Sequence, residues 1–395
     1  MIIRKAFVYR LYPRAPQVAV LDQVLWRCRE LYNAGLEERR EAYRKAGVSL
    51  SSAGQQAHLP AIKQIRPEYA DLDAQMLQDV LQRLDRAFAA FFRRVKSGVG
   101  KAGFPRFRGR DRYDSVTFKQ TGWKLADGRL VLRGIGALKI KWSRPIQGTI
   151  KTVTIRRDAG AWFVSFSCVV ERADPRPDPA LPAVGIDMGL EHFATLSDGT
   201  HLANPRHLRV GQTVLVRRQQ ALARKQRRSQ RRKQAKLLLA KAHRKIRNQR
   251  KDHHHKTAGS LVQAHRLIAV EAIQIATLVR RPAPILGVTP DAGSEVYLPN
   301  GASAKAGLNR SIHDVGWGQF LAILGSKAAE AGCVMVAVNP AGTSQTCSGC
   351  GARCPKDLSV RWHTCPHCGC SEQRDVNAAR NILARVGKTL QAVSA

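Results

Sequence analysis

The sequence predicts an α/β multidomain protein, and three observations predict it. The second half of the chain alternates apolar strands with helices in the manner of a mixed sheet. A stretch from Asp174 to Pro182, with four prolines in nine residues, reads as a linker between that half and an N-terminal half of different texture. Two Cys-x-x-C pairs near the C-terminus mark a small metal-stapled module. At 395 residues there is room for two or three cores.

In the N-terminal half, residues 3 to 11 alternate as a strand does, and Pro13 and Pro16 stop it. Val18, Leu21, Leu25, Cys28 and Tyr32 then recur at helical spacing. A second helix carries Leu77, Leu81, Leu84, Phe88, Phe91 and Val95 on one face, with Arg83, Arg86, Arg93 and Lys96 between them, one face for packing and one for phosphates. From 103 onward the texture becomes strand-like, at Val131–Leu132, Thr152–Arg156 and Trp162–Val170, and these runs are expected to close a small β-barrel with the first strand. Basic residues interleaved with Phe104, Phe107, Phe118 and Trp123 fit a nucleic-acid platform, where guanidinium groups hold phosphates and rings stack on bases.

The second half opens with the strand from Ala183 to Asp187 and a hairpin through Phe193 to Leu196. A long polar helix follows, with 17 Lys or Arg and one acid, Asp252, between Arg217 and Lys256. Like charges at that density weaken a bare helix, so a bound polyanion is expected along it. After the strand from Leu267 to Glu271 comes a Pro, Gly and Ala-rich stretch, 281–307, that reads as a mobile lid or insertion. A helix from Asp314 to Glu330 and the strand from Cys333 to Val338 complete the alternation.

Composition narrows the partners. The net charge is +37, from 66 Lys and Arg against 29 Asp and Glu, and a nucleic acid is the obvious counter-ion. Apolar runs such as Ala87–Phe92 fall far short of the ~20 residues of a membrane span. The N-terminus lacks the apolar segment of a secretory signal, and six of nine cysteines crowd between Cys347 and Cys370, so a reducing cytoplasmic setting is expected. Cys28, Cys168 and Cys333 lie in apolar patterns and read as core, and His253, His254 and His255 read as phosphate contacts.

Three carboxylates stand out, two of them where burial is expensive. Asp187 and Glu271 each end an apolar strand, and Asp375 opens a helix whose N-terminus tolerates negative charge. If the two strands are neighbours, the carboxylates converge on one sheet edge and form a site for Mg²⁺ or Mn²⁺, ions that take hard oxygen ligands. Cys347, Cys350, Cys365 and Cys368 have the spacing that wraps a tetrahedral, structural Zn²⁺. Cys354 and Cys370 are left over, and His363 or His367 is an alternative ligand to one of the thiolates.

Gly185-Ile-Asp187-x-Gly189, Val270-Glu271, Thr343-Ser-Gln-Thr-Cys-Ser-Gly-Cys-Gly351, Cys365-Pro-His-Cys-Gly369 and Arg374-Asp375-x-Asn-Ala-Ala-x-Asn-Ile382 together resemble TnpB, the RNA-guided nucleases of insertion sequences, related to type V CRISPR effectors. Arg10-Leu-Tyr-Pro13, Leu31-Tyr-Asn33, Gly103-Phe-Pro-Arg-Phe-Arg108 and Asp314-x-Gly-Trp-Gly318 extend the resemblance over nearly the whole chain. The resemblance implies a wedge-type β-barrel (1–12 and 105–180), an inserted helical recognition lobe (13–104), and a RuvC or RNase H-like nuclease (181–342 and 374–395) with a zinc-ribbon insertion (343–373). It implies Asp187, Glu271 and Asp375 as catalytic residues, with Mg²⁺ as cofactor. A transposon-derived guide RNA and double-stranded target DNA are the implied partners of a monomeric ribonucleoprotein, with Gln78, Lys119 and Gln120 facing a short DNA motif. Base pairing would then supply most of the sequence specificity. The same triad would serve a strand-transfer transposase, and a guided binder that had lost cleavage would not need it.

Overall fold

The computed structural model describes residues 1–98, 102–288, 295–357 and 359–387, in two compact units, 1–173 and 174–395. No helix among the described residues is long and apolar enough to cross a membrane.

In the first unit β1 (Ile2–Tyr12) passes through Pro13 into α1 (Ala15–Ala46), which ends where Gly47 turns left-handed at φ 64°. The short α2 (Ser52–Ala57) and α3 (Leu59–Ile65) follow, and then α4 (Ala74–Ser97), capped by Asp73, whose carboxylate accepts the Met76 amide at 3.0 Å. Six strands complete the unit: β2 (Ser115–Phe118), β3 (Trp123–Ala126), β4 (Arg129–Leu132), β5 (Gly136–Lys141), β6 (Thr149–Asp158) and β7 (Ala161–Glu171). They form one antiparallel sheet in the order β2-β6-β7-β1-β5-β4-β3, with the N-terminal strand inside it and Phe7 opposite Phe166. α1 and α4 share a core with this sheet through Leu21, Leu25, Cys28, Leu77, Leu81 and Leu84.

The expected barrel goes no further than this sheet, because its end strands β2 and β3 are not paired with each other. The segment between them is held by α4 instead: Gln75 Oε1 accepts the Gln120 amide at 2.9 Å, and Thr121 donates to Asp73 at 3.0 Å. The basic face of α4 is also partly spent. Arg83 pairs with the buried Asp79 at 2.7 Å and donates to the Ser115 carbonyl and the Thr117 hydroxyl, both at 2.8 Å, so it ties α4 to β2.

The second unit is built on a five-stranded sheet. β8 (Ala183–Met188), β9 (His192–Leu196) and β10 (His201–Ala203) make an antiparallel meander, and α5 (His207–Ala223) and α6 (Gln230–Ala264) form a helical hairpin. β11 (Leu267–Glu271) returns parallel to β8. Next come α7 (Ile275–Leu278), the hairpin of β12 (Ile285–Val288) and β13 (Glu295–Leu298), α8 (Ala302–Val315) and α9 (Trp317–Ala331). β14 (Val334–Val338) lies parallel to β11, giving the order β10-β9-β8-β11-β14. The small ribbon of β15 (Trp362–Thr364) and β16 (Ser371–Gln373) leads into α10 (Arg374–Ala384).

Three expectations change here. The basic helix expected over 217–256 is two helices, broken where Arg228 takes φ 67° and the Ser229 hydroxyl caps α6 by accepting the Arg232 amide at 3.1 Å. The helix expected from Asp314 breaks at Gly316, whose φ of 70° ends α8 and starts α9. The 281–307 stretch holds a strand hairpin and the first turns of α8, although residues 289–294, like 388–395 of the expected nuclease segment, lie outside the described residues.

Candidate nuclease centre and nucleic-acid interface

β8 and β11 run side by side in parallel register, with Val270 opposite Ile186, so Asp187 and Glu271 follow as neighbours at the same end of the sheet. Strands in such a pair are ~4.8 Å apart, and equivalent positions share a face. Asp375 arrives by a different route. α10 sits directly on Gly185, where a Cβ would stand 2.0 Å from the Ala379 carbonyl oxygen and 2.9 Å from the Leu383 amide nitrogen. Only a bare backbone admits the helix so closely. Asp375 is one turn before Ala379 on the same helix face, so that seat carries it toward the Asp187 end of β8.

The electrostatics record the convergence. Burial pushes the Asp187 carboxyl up to about 8, with Glu271 and then Asp375 adding to the rise and Arg374 opposing it. Burial also raises Glu271, against a lowering by its hydrogen bond from the Thr343 hydroxyl at 2.7 Å and by the Arg385 charge. No choice of one oxygen per residue brings all three carboxylates within 4.8 Å of one another, a spacing that only cysteine-containing groups reach among the described residues. The chemistry of the donor set fits a hard divalent cation: three partly buried carboxylates, two of which raise the Asp187 carboxyl further beyond what burial does.

Cys347, Cys350, Cys365 and Cys368 come together as one group. Cys347 Sγ lies 3.6 Å from Cys368 Sγ, and Cys350 Sγ lies 3.6 Å from Cys365 Sγ. Tetrahedral Zn–S bonds of ~2.3 Å put sulfurs about 3.8 Å apart, so the set has the right size for zinc. Cys354, His363 and Cys365 form a second group that shares Cys365, with the Cys354 and Cys365 sulfurs 3.7 Å apart and His363 Nδ1 against Lys356 Nζ. Cys28, Cys168 and Cys333 are buried core.

Several residues that tie these sites together carry no chemistry of their own. Asn377 accepts the Ser348 amide at 2.8 Å and donates to the Thr346 carbonyl at 2.8 Å. Asn381 donates to the carbonyls of Thr343 and Thr346 at 2.9 and 2.7 Å. α10 therefore holds the first cysteine turn with one face while carrying Asp375 on another. Their signal in the sequence was two amides four residues apart on one helix face, and for Thr343 a hydroxyl a few residues before the first cysteine.

The basic hairpin of α5 and α6 presents Arg217, Arg218, Arg228, Lys233, Lys241 and Lys245 to solvent. It is anchored by Asp314, which accepts the Leu208 amide with both oxygens, at 2.9 and 3.0 Å, and pairs with Arg250 at 3.0 Å. Asp314 thus caps α5 from another helix, since Arg206 at its N-terminus provides no side-chain cap. His254 is not a phosphate contact. It is fully buried, donates from Nε2 to the Val315 carbonyl at 2.9 Å, and is pushed by burial down to about 4, so it packs as a neutral ring.

In the first unit, Lys119 donates to Gln82 at 2.7 Å and Gln120 is held by Gln75, while the partly buried Gln78 lies between those two glutamines on the same stripe of α4. Of the aromatic residues expected to form a platform, Phe118 is core and Trp123 is partly buried, whereas Phe104 and Phe107 are exposed.

Three family models match the chain. "Probable transposase" of the OrfB_IS605 type covers residues 165–281, the "Cas12f1-like, TNB domain" covers 317–382, and the OrfB_IS605 "Helix-turn-helix domain" covers 1–47, where the structure has a strand and one helix. "Putative RNA-guided DNA endonuclease InsQ" of Escherichia coli (strain K12) is 32% identical over 96% of this chain and 92% of its own length. "Putative RNA-guided DNA endonuclease" of Streptomyces pristinaespiralis is 32% identical over 97% of this chain and 89% of its own. Among solved structures, the mini-RNA-guided endonuclease CRISPR-Cas_phi3 matches at TM-score 0.47 and 11% identity, covering 97% of this chain and 92% of that one. With 32% identity carried across nearly its full length and three matching domain models, the chain belongs to the TnpB family of insertion-sequence proteins, the OrfB/IS605 group.

Proposed function

We propose that this protein is an RNA-guided, Mg²⁺-dependent DNA endonuclease of a transposable element, cutting with Asp187, Glu271 and Asp375 on an RuvC or RNase H-like core. The reading is supported by the β8–β11 register, which brings Asp187 and Glu271 to one end of the sheet, and by the Asp187 carboxyl, which burial, then Glu271 and then Asp375 push up to about 8. Mg²⁺ or Mn²⁺ held there would activate water and neutralise charge on the scissile phosphate. The chain's part is to fix the carboxylates by strand register, by the Gly185 seat and by Thr343. Cys347, Cys350, Cys365 and Cys368 hold a structural zinc that leaves no open position for chemistry.

The same reading assigns 1–12 and 105–180, the open seven-stranded sheet, to the wedge-type domain, 13–104 to a recognition lobe, 181–342 and 374–395 to the nuclease, and 343–373 to the zinc ribbon. Gln78, Lys119 and Gln120 face the short DNA motif, and their clustering between α4 and the 119–121 segment supports this. The exposed cations of α5 and α6 hold phosphates without reading sequence. The partners are a transposon-derived guide RNA and double-stranded DNA, bound by a monomeric ribonucleoprotein inside a prokaryotic cell.

The test is to purify the protein, sequence the RNA that accompanies it, and reprogram the guide segment. Cleavage with Mg²⁺ of a duplex matched to the new guide, and not of the old one, is the expected result. RNA-free protein that joins DNA ends would support a strand-transfer transposase instead.

A further inference from the structure

The first unit carries an aromatic cavity that the proposed cleavage chemistry does not use. It has a volume of about 990 Å³ and opens between the C-terminal part of α1, residues 49–51 and the second half of α4. The apolar stripe of α4 explains it. Leu77, Leu81 and Leu84 are buried under neighbouring elements, but the stripe continues through Phe88, Phe91 and Phe92 beyond that cover. Phe104 joins them, edge-on to Phe88 with centroids 5.5 Å apart and to Phe91 at 5.2 Å. A closed core would hide these rings, yet Phe92 is 59% exposed and Phe104 45%.

The rim is cationic. Arg39, Arg40 and Arg44 line the cavity with one acid, Asp85, and Arg40 and Arg44 also pair with Glu41 beside it, which leaves the rim with a net positive charge. Arg39 is itself 8% exposed; it gives Nε to Gln55 at 2.7 Å and Nη1 to Asp85 at 3.0 Å, and Nη2 has no hydrogen-bond partner among the described residues. A second cavity of about 530 Å³ shares Arg40 and Phe104 and adds Arg106 and Phe107, with the Arg40 guanidinium 5.3 Å from the Phe107 ring.

We infer that this pair of cavities is a stacking site for unpaired nucleobases, whose phosphates run along the arginine rim. An apolar peptide would gain nothing from the guanidinium groups, and a small anion would gain nothing from the rings. A single strand offers planar faces and phosphates together, and rings with interleaved arginines answer both. A duplex keeps its interior base faces stacked on one another and does not enter. The site rests on the proposed function only for the class of its ligand.

The experiment measures the affinity of the whole protein for a 12-nucleotide oligothymidylate and for a 12-base-pair duplex at fixed salt. Phe92→Ala with Phe104→Ala is expected to weaken the single strand roughly 10- to 100-fold, the cost of lost base–ring stacking, and the duplex less than about twofold. Phe92→Leu with Phe104→Leu preserves apolar bulk and should lose the same affinity. Full retention by the leucine variant, or equal loss for both probes, overturns the inference. A 5-iododeoxyuridine strand should crosslink to the peptides bearing Phe92 or Phe104; crosslinks confined to 207–264 contradict it. A wild-type dimer abolished by the double alanine variant would give this face to a second copy instead. Guided cleavage is assayed separately, so an intact stacking site without cleavage counts against the nuclease reading alone.

Discussion

The two proposed ligand sets of the C-terminal unit are assembled by opposite routes. The four thiols meet through two tight turns and one short hairpin, so their geometry is local, and Cys347 and Cys350 are brought together by the Gly351-to-Cys347 turn itself. The carboxylates have no such local device. Asp187 and Glu271 are aligned by the register of strands separated by the whole basic hairpin, and Asp375 by a helix resting on a glycine. A local site survives distant disturbance. A site assembled by register and close packing fails whenever the sheet, the seat or a supporting hydroxyl moves.

Outside the carboxylates themselves, the largest expected effect breaks the local site to see how far the damage spreads. Cys365→Ser with Cys368→Ser should reduce zinc from about one per chain to none by elemental analysis. Because Asn377 and Asn381 bind the backbone of the first cysteine turn, the loss should also loosen α10 and reduce cleavage by two orders of magnitude or more. Zinc-free protein that cuts at the wild-type rate would show the two sites to be independent. Next in size is Gly185→Ala, which puts a methyl where the Ala379 carbonyl stands. Overpacking of this kind costs ~1–3 kcal/mol, and a displacement near 1 Å at a catalytic group costs about 100-fold in rate. Thermal melting and single-turnover cleavage read the two effects separately.

A smaller loss is expected for Thr343→Val, which deletes the hydroxyl that donates to Glu271 while keeping its shape. Removing a supporting hydrogen bond to a metal ligand typically costs ~10- to 100-fold in metal affinity, so the half-saturating Mg²⁺ concentration should rise more than the maximal rate falls. The smallest effect is a pH dependence. With Asp187 at about 8 in the metal-free fold, protons compete with Mg²⁺, and the Mg²⁺ needed for half-maximal cleavage should climb as pH falls below 8. For stability the sign is the reverse. A raised carboxyl pKa contributes stability at acid pH that is lost as pH rises toward 8, so metal-free protein should melt lower at pH 8 than at pH 5.5, and Mg²⁺ should restore the difference at pH 8.

The same contrast explains what the sequence made legible. Cysteine spacing encodes a local geometry and is readable directly. Asp187 and Glu271 are readable as charges at the ends of apolar strands, because such charges are costly without a purpose. Their convergence needed the strand order, which periodicity does not carry. The break near Ser229 was hidden because α5 and α6 are both basic and polar, so the pattern runs on through the turn. Gly316 was hidden by apolar periodicity on both sides of it. His254 sits among cations in sequence, yet it is buried against Phe193 and Phe320, which come from other elements. Asp314 caps α5 across more than a hundred residues of chain, beyond any local pattern.

The most direct test of the carboxylate centre separates cutting from binding. Asp187→Ala, Glu271→Ala and Asp375→Ala are each reconstituted with guide RNA, and binding and cleavage of a matched duplex are measured with Mg²⁺, Mn²⁺, Ca²⁺ or EDTA. Each variant should bind within about twofold of wild type and cut at least ~1,000-fold more slowly, since metal-assisted stabilisation of the transition state is worth several kcal/mol. Wild type should cut with Mg²⁺ or Mn²⁺ and not with Ca²⁺ or EDTA. Cleavage near the wild-type rate in any one of the three variants would contradict the account.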